Sequence, residues 1–335
     1  MISVPVTEAS QVADARRRAA ALAATLGFDE VAGGRVALVA TELATNLVKY
    51  GTAGEILLGA FEDDTGRGVE ILALETGPGI ADLAAALRDG HSTGGSPGTG
   101  LGAARRLSQA FDIASWPGRG TAVLARLQAR SAGPPAVPWF GAVAVPLRGE
   151  TVNGDASCAR RYGAGWTILV ADGLGHGPSA AEASGEAVRL FRSREAEAPA
   201  AILSAIHAGL RHTRGGAVAI ARYEPERGRV LFCGIGNVAG AVVTGAETKR
   251  MVSLAGTAGH VARRFQTFEY PFTPDSLLVM CSDGIGTSWS LDAYPGLRGA
   301  HPSLIAGVLY RDFARGRDDA TVVIAQGTAA FGAAP

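Results

Sequence analysis

Residues 166–177, WTILVADGLGHG, contain the pattern that best indicates how the second half of the chain folds. The apolar run predicts a buried strand, and Asp172-Gly173 at its end predicts a tight turn. A second apolar run, LLVMC, is followed in the same way by Asp283-Gly284. A single Asp-Gly pair is most often an ordinary turn. Two such pairs after apolar strands, with NGD before them and DDAT after them, favour a functional site.

The acidic residues of these segments form one set, because they lie at strand ends or in turns: Asp155, Asp172, Asp283, Asp318 and Asp319. Carboxylates that converge without a partner repel one another, whereas hard divalent cations neutralise them through oxygen ligands. Mg²⁺ or Mn²⁺ fits the set best, since the sequence shows no Cys/His spacing typical of zinc. The glycine after Asp172 lets the carbonyl of Gly173 point inward as a further ligand.

This ordered set resembles the SpoIIE-like branch of the PPM metal-dependent protein phosphatases over about residues 139–327. The resemblance implies a β-sandwich flanked by helices (αββα), a binuclear Mn²⁺ or Mg²⁺ centre at one end of the sheets, and phosphoserine or phosphothreonine in a protein as the substrate. It implies the following catalytic metal ligands: Asp155, Asp172, the Gly173 carbonyl, Asp283 and Asp318. Asp319 is expected to be a supporting ligand or a neighbour of the ligands.

Other polar residues near these motifs allow two interpretations each. His176 can donate a proton to the leaving serine oxygen, but a role in stabilising the turn is favoured. Arg160 and Arg161 can contact the substrate phosphate, but solvated surface is favoured. Asn237 in GIGN and His260 in GTAGH are interpreted as structural loop residues.

A helix predicted over residues 29–49 carries a polar pair in the first half of the chain. Glu42 and Asn46 are four residues apart, so their side chains share a face. An amide oxygen can bind the Mg²⁺ that accompanies nucleotide phosphates, and a carboxylate can polarise a hydroxyl group. On its own, such a pair is more often a solvated face. The apolar residues expected to serve the core are Leu38, Leu43 and Leu47.

Two glycine-containing passages follow this helix. Residues 75–80, ETGPGI, bring glycines close to the end of a predicted strand, where the backbone can approach a flat ligand. Residues 90–102, GHSTGGSPGTGLG, run directly into a predicted helix, whose N-terminal N–H groups can bind phosphate.

In this order, the three segments resemble the Bergerat ATP-binding fold of the GHKL superfamily, and more narrowly the RsbT/RsbW-type kinases, over about residues 4–128. The resemblance implies an α/β sandwich with ATP between the helices and a mixed sheet, Asn46 on Mg²⁺, and Glu42 as the base. The glycines expected to shape the pocket and its lid are Gly77, Gly79, Gly98, Gly100 and Gly102. The implied product is phosphoserine on a small regulatory protein.

Glu75 departs from this family pattern, which generally has Asp as the carboxylate that binds the adenine amino group. The added methylene displaces that hydrogen bond and weakens directional recognition. Two functions therefore remain open for the first half. It is an ATP-binding serine kinase, or a catalytically silent module that binds a nucleotide or a partner while the phosphatase alone performs chemistry.

The 335 residues predict two α/β domains, at residues 1–130 and 139–330, joined by the Pro-rich linker 131–138. Lys and Arg total 31, as do Asp and Glu, so no overall field favours nucleic acid or a membrane. Three widely spaced cysteines and an N-terminus without an apolar stretch predict a cytoplasmic protein. The expected partner is a phosphorylated STAS-type anti-sigma antagonist or a related scaffold, and oligomeric state is not readable from the sequence.

Apolar periodicity predicts an α/β layer in the first half and stacked sheets in the second. First-half helices are predicted over residues 10–26, 29–49 and 101–107, and strands over 55–61, 68–74, 112–116 and 121–127. Second-half strands are predicted over residues 140–146, 166–171, 217–223, 230–235, 239–243, 277–281 and 320–325, and helices over 179–191, 199–210 and 301–313.

Overall fold

The computed structural model describes residues 1–63, 66–87, 100–129, 138–194 and 196–327. The chain forms two compact units, Met1–Ala136 and Val137–Pro335. The division falls within the stretch 131–138 that the sequence predicts as a linker, and most of that stretch lies outside the described residues.

The N-terminal unit is an antiparallel sheet with helices packed on one face. Its elements are β1 (Ile2–Pro5), α1 (Ala9–Thr25), α2 (Glu30–Tyr50), β2 (Glu55–Asp63), β3 (Gly66–Glu75), α3 (Leu83–Ala86), α4 (Gly100–Leu107), β4 (Ala110–Trp116) and β5 (Gly120–Gln128). The strand order is β1-β2-β3-β5-β4, and every neighbouring pair described is antiparallel. The expectation of a mixed sheet is therefore wrong for these strands, because all four of their pairings are antiparallel.

Helix α2 places both the core and the polar pair of this unit. It begins after Asp29, whose carboxylate accepts a hydrogen bond from the amide of Ala32 at 2.8 Å. Leu43 and Leu47 are buried, as predicted. Leu38 is 46% exposed, so its assignment to the core is wrong. Its position four and eight residues before Glu42 and Asn46 puts it on the polar face instead.

Among the described residues, α2 alone has the length and apolar composition of a membrane-spanning helix. Its buried positions belong to the core that also includes α1 and the helix-facing side of the sheet. Packing in this core accounts for the apolar composition of α2.

The C-terminal unit is a sandwich of two antiparallel sheets. Its strands are β6 (Phe140–Val145), β7 (Asp155–Tyr162), β8 (Gly165–Gly173), β9 (Gly216–Glu224), β10 (Arg229–Ile235), β11 (Ala239–Thr244), β12 (Glu247–Met251), β13 (Phe268–Pro271), β14 (Leu277–Cys281) and β15 (Ala320–Gln326). Its helices are α5 (Pro178–Arg192), α6 (Pro199–Gly209) and α7 (Pro302–Phe313). One sheet has the order β13-β10-β9-β8-β7 and the other β12-β11-β14-β15-β6.

An aromatic cluster fills the core between these two sheets. Trp166 is fully buried, and its ring lies 5.5 Å from that of Tyr223 and 5.6 Å from that of Phe272. Its indole N–H donates to the carbonyl of Gln326 in the opposite sheet at 2.9 Å. Helices α5 and α6 cover the β8–β9 sheet, and α7 covers β6 and β15. The predicted αββα arrangement is confirmed.

Candidate functional sites

The pairing of β7 with β8 brings the first two predicted aspartates together. Asp155 begins β7, Asp172 lies one residue before the end of β8, and the two residues are directly opposite in the antiparallel register. Side chains at directly opposed positions are close neighbours on a sheet face. Asp155 is buried and Asp172 is half-buried.

The second sheet contributes Asp283 and Asp318 at the same end of the sandwich. Asp283 follows β14, Asp318 precedes β15, and the two strands pair side by side. The backbone N–H of Asp283 donates to the carboxylate of Asp172, which connects the two sheets at this end. We call Asp155, Asp172, Asp283 and Asp318 the carboxylate cluster.

Burial and mutual repulsion shift the acidity of the cluster. The pKa of Asp172 is raised to about 8, mainly by burial and then by the charges of Asp155, Asp283 and Asp318. Burial is also the main cause of the raised pKa of Asp155, and the nearby hydroxyl groups of Ser282 and Thr321 act in the opposite direction. The pKa of Asp283 is raised by burial and then by Asp318. These groups therefore share one electrostatic environment that disfavours their joint ionisation.

Glycines allow the backbone to pack tightly around the cluster. A β-carbon at Gly173 would lie 2.1 Å from the carbonyl oxygen of Ala180, where no side chain fits. A β-carbon at Gly284 would lie 2.0 Å from the carbonyl oxygen of Asp319. The glycines of the two Asp-Gly pairs are therefore required by the close approach of neighbouring backbone.

Asp319 holds the loops beside the cluster. Its Oδ1 accepts from the amide of Leu147 at 2.8 Å and its Oδ2 accepts from the amide of Gly154 at 2.9 Å. The residue is only 2% exposed. Both oxygens are engaged by backbone amides, so Asp319 fixes the segment that leads into Asp155.

In the N-terminal unit, the start of α4 lies over the polar face of α2. A β-carbon at Gly100 would stand 2.9 Å from Glu42 Oε2 and 3.5 Å from Asn46 Oδ1. Glu42 and Asn46 are half-buried, and Gly102 is buried two residues further along α4. The structure therefore brings together three of the predicted nucleotide-site residues, Glu42, Asn46 and Gly100. Gly98 lies outside the described residues.

Glu75 and the two glycines after it form a turn at the end of β3. Glu75 is buried, and its Oε2 accepts a hydrogen bond from the amide of Gly77. Gly79 has φ +73°, and a β-carbon there would lie 2.3 Å from the carbonyl oxygen of Trp116. The carboxylate predicted to bind adenine therefore engages its own turn.

Comparison with known proteins identifies both units. Residues 4–127 match the family model of the histidine kinase-like ATPase domain, and residues 162–327 match that of stage II sporulation protein E (SpoIIE). Over 111 residues, 33% of this chain and 84% of the relative, the chain is 37% identical to the serine/threonine-protein kinase RsbT of Bacillus subtilis (strain 168). The chain joins an RsbT-family domain to a SpoIIE-family domain.

Two solved structures show similarity to this RsbT–SpoIIE chain. One is described as the bacterial stressosome, a modular system that has been adapted to control secondary messenger signaling. It is 24% identical with a TM-score of 0.53, and the match covers 57% of this chain and 100% of that chain. The other is the PP2C phosphatase domain with a fragment of the regulatory domain of SpoIIE from Bacillus subtilis, with 16% identity, a TM-score of 0.49, and coverage of 95% and 92%. The first similarity shows the fold of the region it covers.

The carboxylate cluster of the SpoIIE-family domain has the donor chemistry for divalent cations. Asp155 Oδ2 is buried without a hydrogen-bond partner, and carboxylate oxygens are the ligands that Mg²⁺ and Mn²⁺ prefer. Within the described residues, no three His, Cys, Asp or Glu side chains already stand in a metal-binding arrangement. The donor chemistry of these residues therefore fits a divalent cation, although their side chains do not stand in a ligand arrangement in this structure.

Asn237 is the residue of this domain that the sequence interpretation missed. Its Nδ2 donates to Asp283 Oδ2 at 2.6 Å, so it is a direct neighbour of the carboxylate cluster rather than only a loop residue. The only sequence signal is its position in GIGN, just after β10.

The remaining candidates lie outside the cluster. His176 Nδ1 is 2.7 Å from Glu150 Oε1 in the turn after β8, an arrangement that supports its role in the turn. Arg160 and Arg161 lie toward the far end of β7 from Asp155, and the guanidinium of Arg161 stacks on Trp139. His260 Nε2 lies 3.1 Å from the carbonyl oxygen of Thr213, which fits its interpretation as a loop residue.

Proposed function

We propose that the SpoIIE-family domain is a Mn²⁺- or Mg²⁺-dependent protein serine/threonine phosphatase. The observation that carries this proposal is the convergence of Asp155, Asp172, Asp283 and Asp318 at one end of the sandwich, with a buried Asp155 oxygen that lacks a partner. Such a group of like charges is stabilised when divalent cations neutralise it.

The residues of the cluster have distinct parts in this proposal. Asp155 and Asp172 project from opposed strands and would hold the cations between them, while Asn237 orients Asp283. Bound divalent cations would supply Lewis acidity that activates water and screens the phosphoryl oxygens. A cysteine nucleophile is not required, and burial raises the pKa of the Cys233 thiol to about 11 and that of Cys281 to about 12.

The test is Mn²⁺-dependent release of phosphate from a phosphoserine protein and from p-nitrophenyl phosphate. Asp172→Ala should lower kcat/KM for both by about 100-fold or more, because a central ligand is lost. Asp275→Ala is the matched control, since Asp275 is an exposed aspartate just before β14, at the strand end opposite Asp283. An unchanged rate in Asp172→Ala would refute the site assignment.

For the RsbT-family domain, we propose ATP binding with Mg²⁺ on Asn46 and with Glu42 as the base of a serine kinase. The start of α4 over this pair supports a phosphate site there. The engagement of Glu75 with Gly77 favours the alternative of a catalytically silent binding module. Labelled ATP incubated with the chain and a candidate antagonist separates these functions, because only a kinase yields phosphoprotein.

Together, the two domains fit a bacterial partner-switching pathway of stress or sigma-factor control. The proposed substrate is a phosphorylated STAS-type anti-sigma antagonist or a related scaffold in the cytoplasm. Joining two domains in one chain raises the local concentration of a partner that both recognise. The chain would then add and remove phosphate, or only remove it, on the same class of protein.

A further inference from the structure

Cationic side chains are concentrated on two loops of the SpoIIE-family domain. One loop, residues 210–216 (LRHTRGG), follows α6, and the other comprises residues 254–265 (LAGTAGHVARRF). Neither loop contains an acidic residue, although the chain as a whole has equal numbers of acidic and basic residues. Four exposed arginines on these loops form what we call the basic rim: Arg211, Arg214, Arg263 and Arg264.

Hydrogen bonds join the two loops into one surface. The amide of Gly216 donates to the carbonyl of Ala258 at 3.1 Å, and the amide of Ala258 donates back at 2.8 Å. Phe265 anchors the far end of the second loop, with its ring 5.5 Å from that of His207 in α6. Arg263 and Arg264 immediately precede Phe265, which packs against the helix that leads into the first loop.

The basic rim is continuous with the candidate phosphatase site. The amide of Leu174, two residues after Asp172, donates to the carbonyl of Gly215 at 2.9 Å. Arg214 Nη1 lies 3.5 Å from the position that a β-carbon on Gly175 would occupy. The guanidinium of Arg214 therefore lies next to the turn that follows Asp172.

No acidic side chain in the described part of the domain pairs with the arginines of the basic rim. Glu186 acts electrostatically on His212 in the first loop, but it is held by two hydrogen bonds from Arg189, at 2.7 and 2.6 Å. The rim is therefore available to an anionic partner.

We propose that the basic rim binds acidic residues that flank the phosphoserine or phosphothreonine of a protein substrate. This inference rests on the proposed phosphatase function and adds how its substrate is chosen. The arginines attract acidic side chains beside the phosphorylated residue, and the cation-loaded carboxylate cluster would take the phosphate, so the two surfaces together orient the phosphorylated segment. A nucleic acid carries phosphate along its whole length and gains no such orientation.

The experiment compares three probes in Mn²⁺: a phosphoserine peptide flanked by glutamates, the same peptide flanked by glutamines, and p-nitrophenyl phosphate. The double variant Arg263→Glu/Arg264→Glu should lower kcat/KM for the glutamate-flanked peptide about tenfold, through KM, because two attractions become repulsions. The other two probes should be unaffected. Arg227→Glu is the matched control, since this exposed arginine lies beyond the opposite end of β9.

The inference is overturned if the double variant and the wild type hydrolyse the glutamate-flanked peptide equally well. It is also overturned if all three probes lose activity alike, because the rim then does not discriminate between substrates. Rim-dependent binding of a labelled oligonucleotide with unchanged peptide turnover would assign the surface to nucleic acid instead. If the wild type hydrolyses none of the three probes, the proposed phosphatase function itself fails.

Discussion

At the scale of single residues, the sequence identified side chains with a strong local context. Asp172 and Asp283 each end an apolar strand and precede a glycine, so the pattern around them predicts both a turn and a site. Asn237 has no such context. Its contact with Asp283 joins residues 46 positions apart and depends on how the ends of the two sheets meet. A short sequence segment cannot predict a contact that depends on tertiary packing of this kind.

Asn237→Ala should weaken metal binding more than it weakens chemistry. Loss of the 2.6 Å hydrogen bond leaves Asp283 without its orienting donor. We expect the Mn²⁺ concentration for half-maximal activity to rise about 10- to 100-fold, as is usual when a neighbour of a metal ligand is removed. Titrating Mn²⁺ against p-nitrophenyl phosphate hydrolysis checks this. Failure of excess Mn²⁺ to restore kcat would contradict a positioning role.

Glu75→Asp should strengthen ATP binding. The shorter side chain reaches the Gly77 amide less well and restores the carboxylate that the RsbT/RsbW-type pattern has at this position. We expect about a tenfold gain in ATP affinity, measured by calorimetry, because a better-directed buried hydrogen bond contributes about 1 kcal/mol or more. Glu62→Asp is the control, as Glu62 is an exposed glutamate of β2. Equal affinities for wild type and Glu75→Asp would refute the adenine role.

At the scale of elements, the strands that the sequence failed to predict are all edge strands among those described: β1, β7, β12 and β13. An edge strand is covered on fewer sides and needs fewer apolar residues. The sequence DASCARRY of β7 has too few apolar residues to predict a strand. This strand was therefore missed, although it begins with Asp155 of the carboxylate cluster. The central strand β14, Leu277–Cys281, is buried along its whole length, and its continuous apolar run was predicted with the correct ends.

Gly284→Ala should destabilise the SpoIIE-family domain. The added β-carbon would lie 2.0 Å from the carbonyl oxygen of Asp319, which forces β14 and β15 apart beside the cluster. We expect a loss of about 2 kcal/mol or more in the free energy of unfolding, measured in urea. Gly299→Ala is the control, because nothing lies within 4 Å of a β-carbon there. Equal stability of the two variants would contradict the close packing described.

At the scale of the whole molecule, the net charge is zero although acidic and basic side chains are concentrated in separate places. The chain has 31 basic and 31 acidic side chains, yet it concentrates carboxylates at one end of the sandwich and arginines on the adjoining loops. Chain length predicted two units, and apolar periodicity predicted an α/β layer in the first and stacked sheets in the second. The balanced net charge excluded an overall electrostatic field but not a local anionic or cationic site, since only the fold determines which charges meet.

The stability of the metal-free chain should fall between about pH 4 and about pH 8. Burial and neighbouring charges raise the folded-state pKa of Asp172 from 3.8 to about 8, so the folded chain retains a proton that the unfolded chain loses. The stabilising contribution is fully present below the unfolded pKa and is lost as pH rises through the folded one. Urea unfolding of wild type and Asp172→Asn checks this, and parallel pH profiles would contradict it.

Calorimetric titration of the metal-free chain with Mn²⁺ tests most directly whether the carboxylate cluster holds the cations. The account predicts about two Mn²⁺ bound per wild-type chain, as expected for a binuclear hydrolytic site. It predicts reduced stoichiometry and affinity in Asp172→Asn, and wild-type binding in Asp275→Ala. Mn²⁺ binding that Asp172→Asn leaves unchanged would contradict the account.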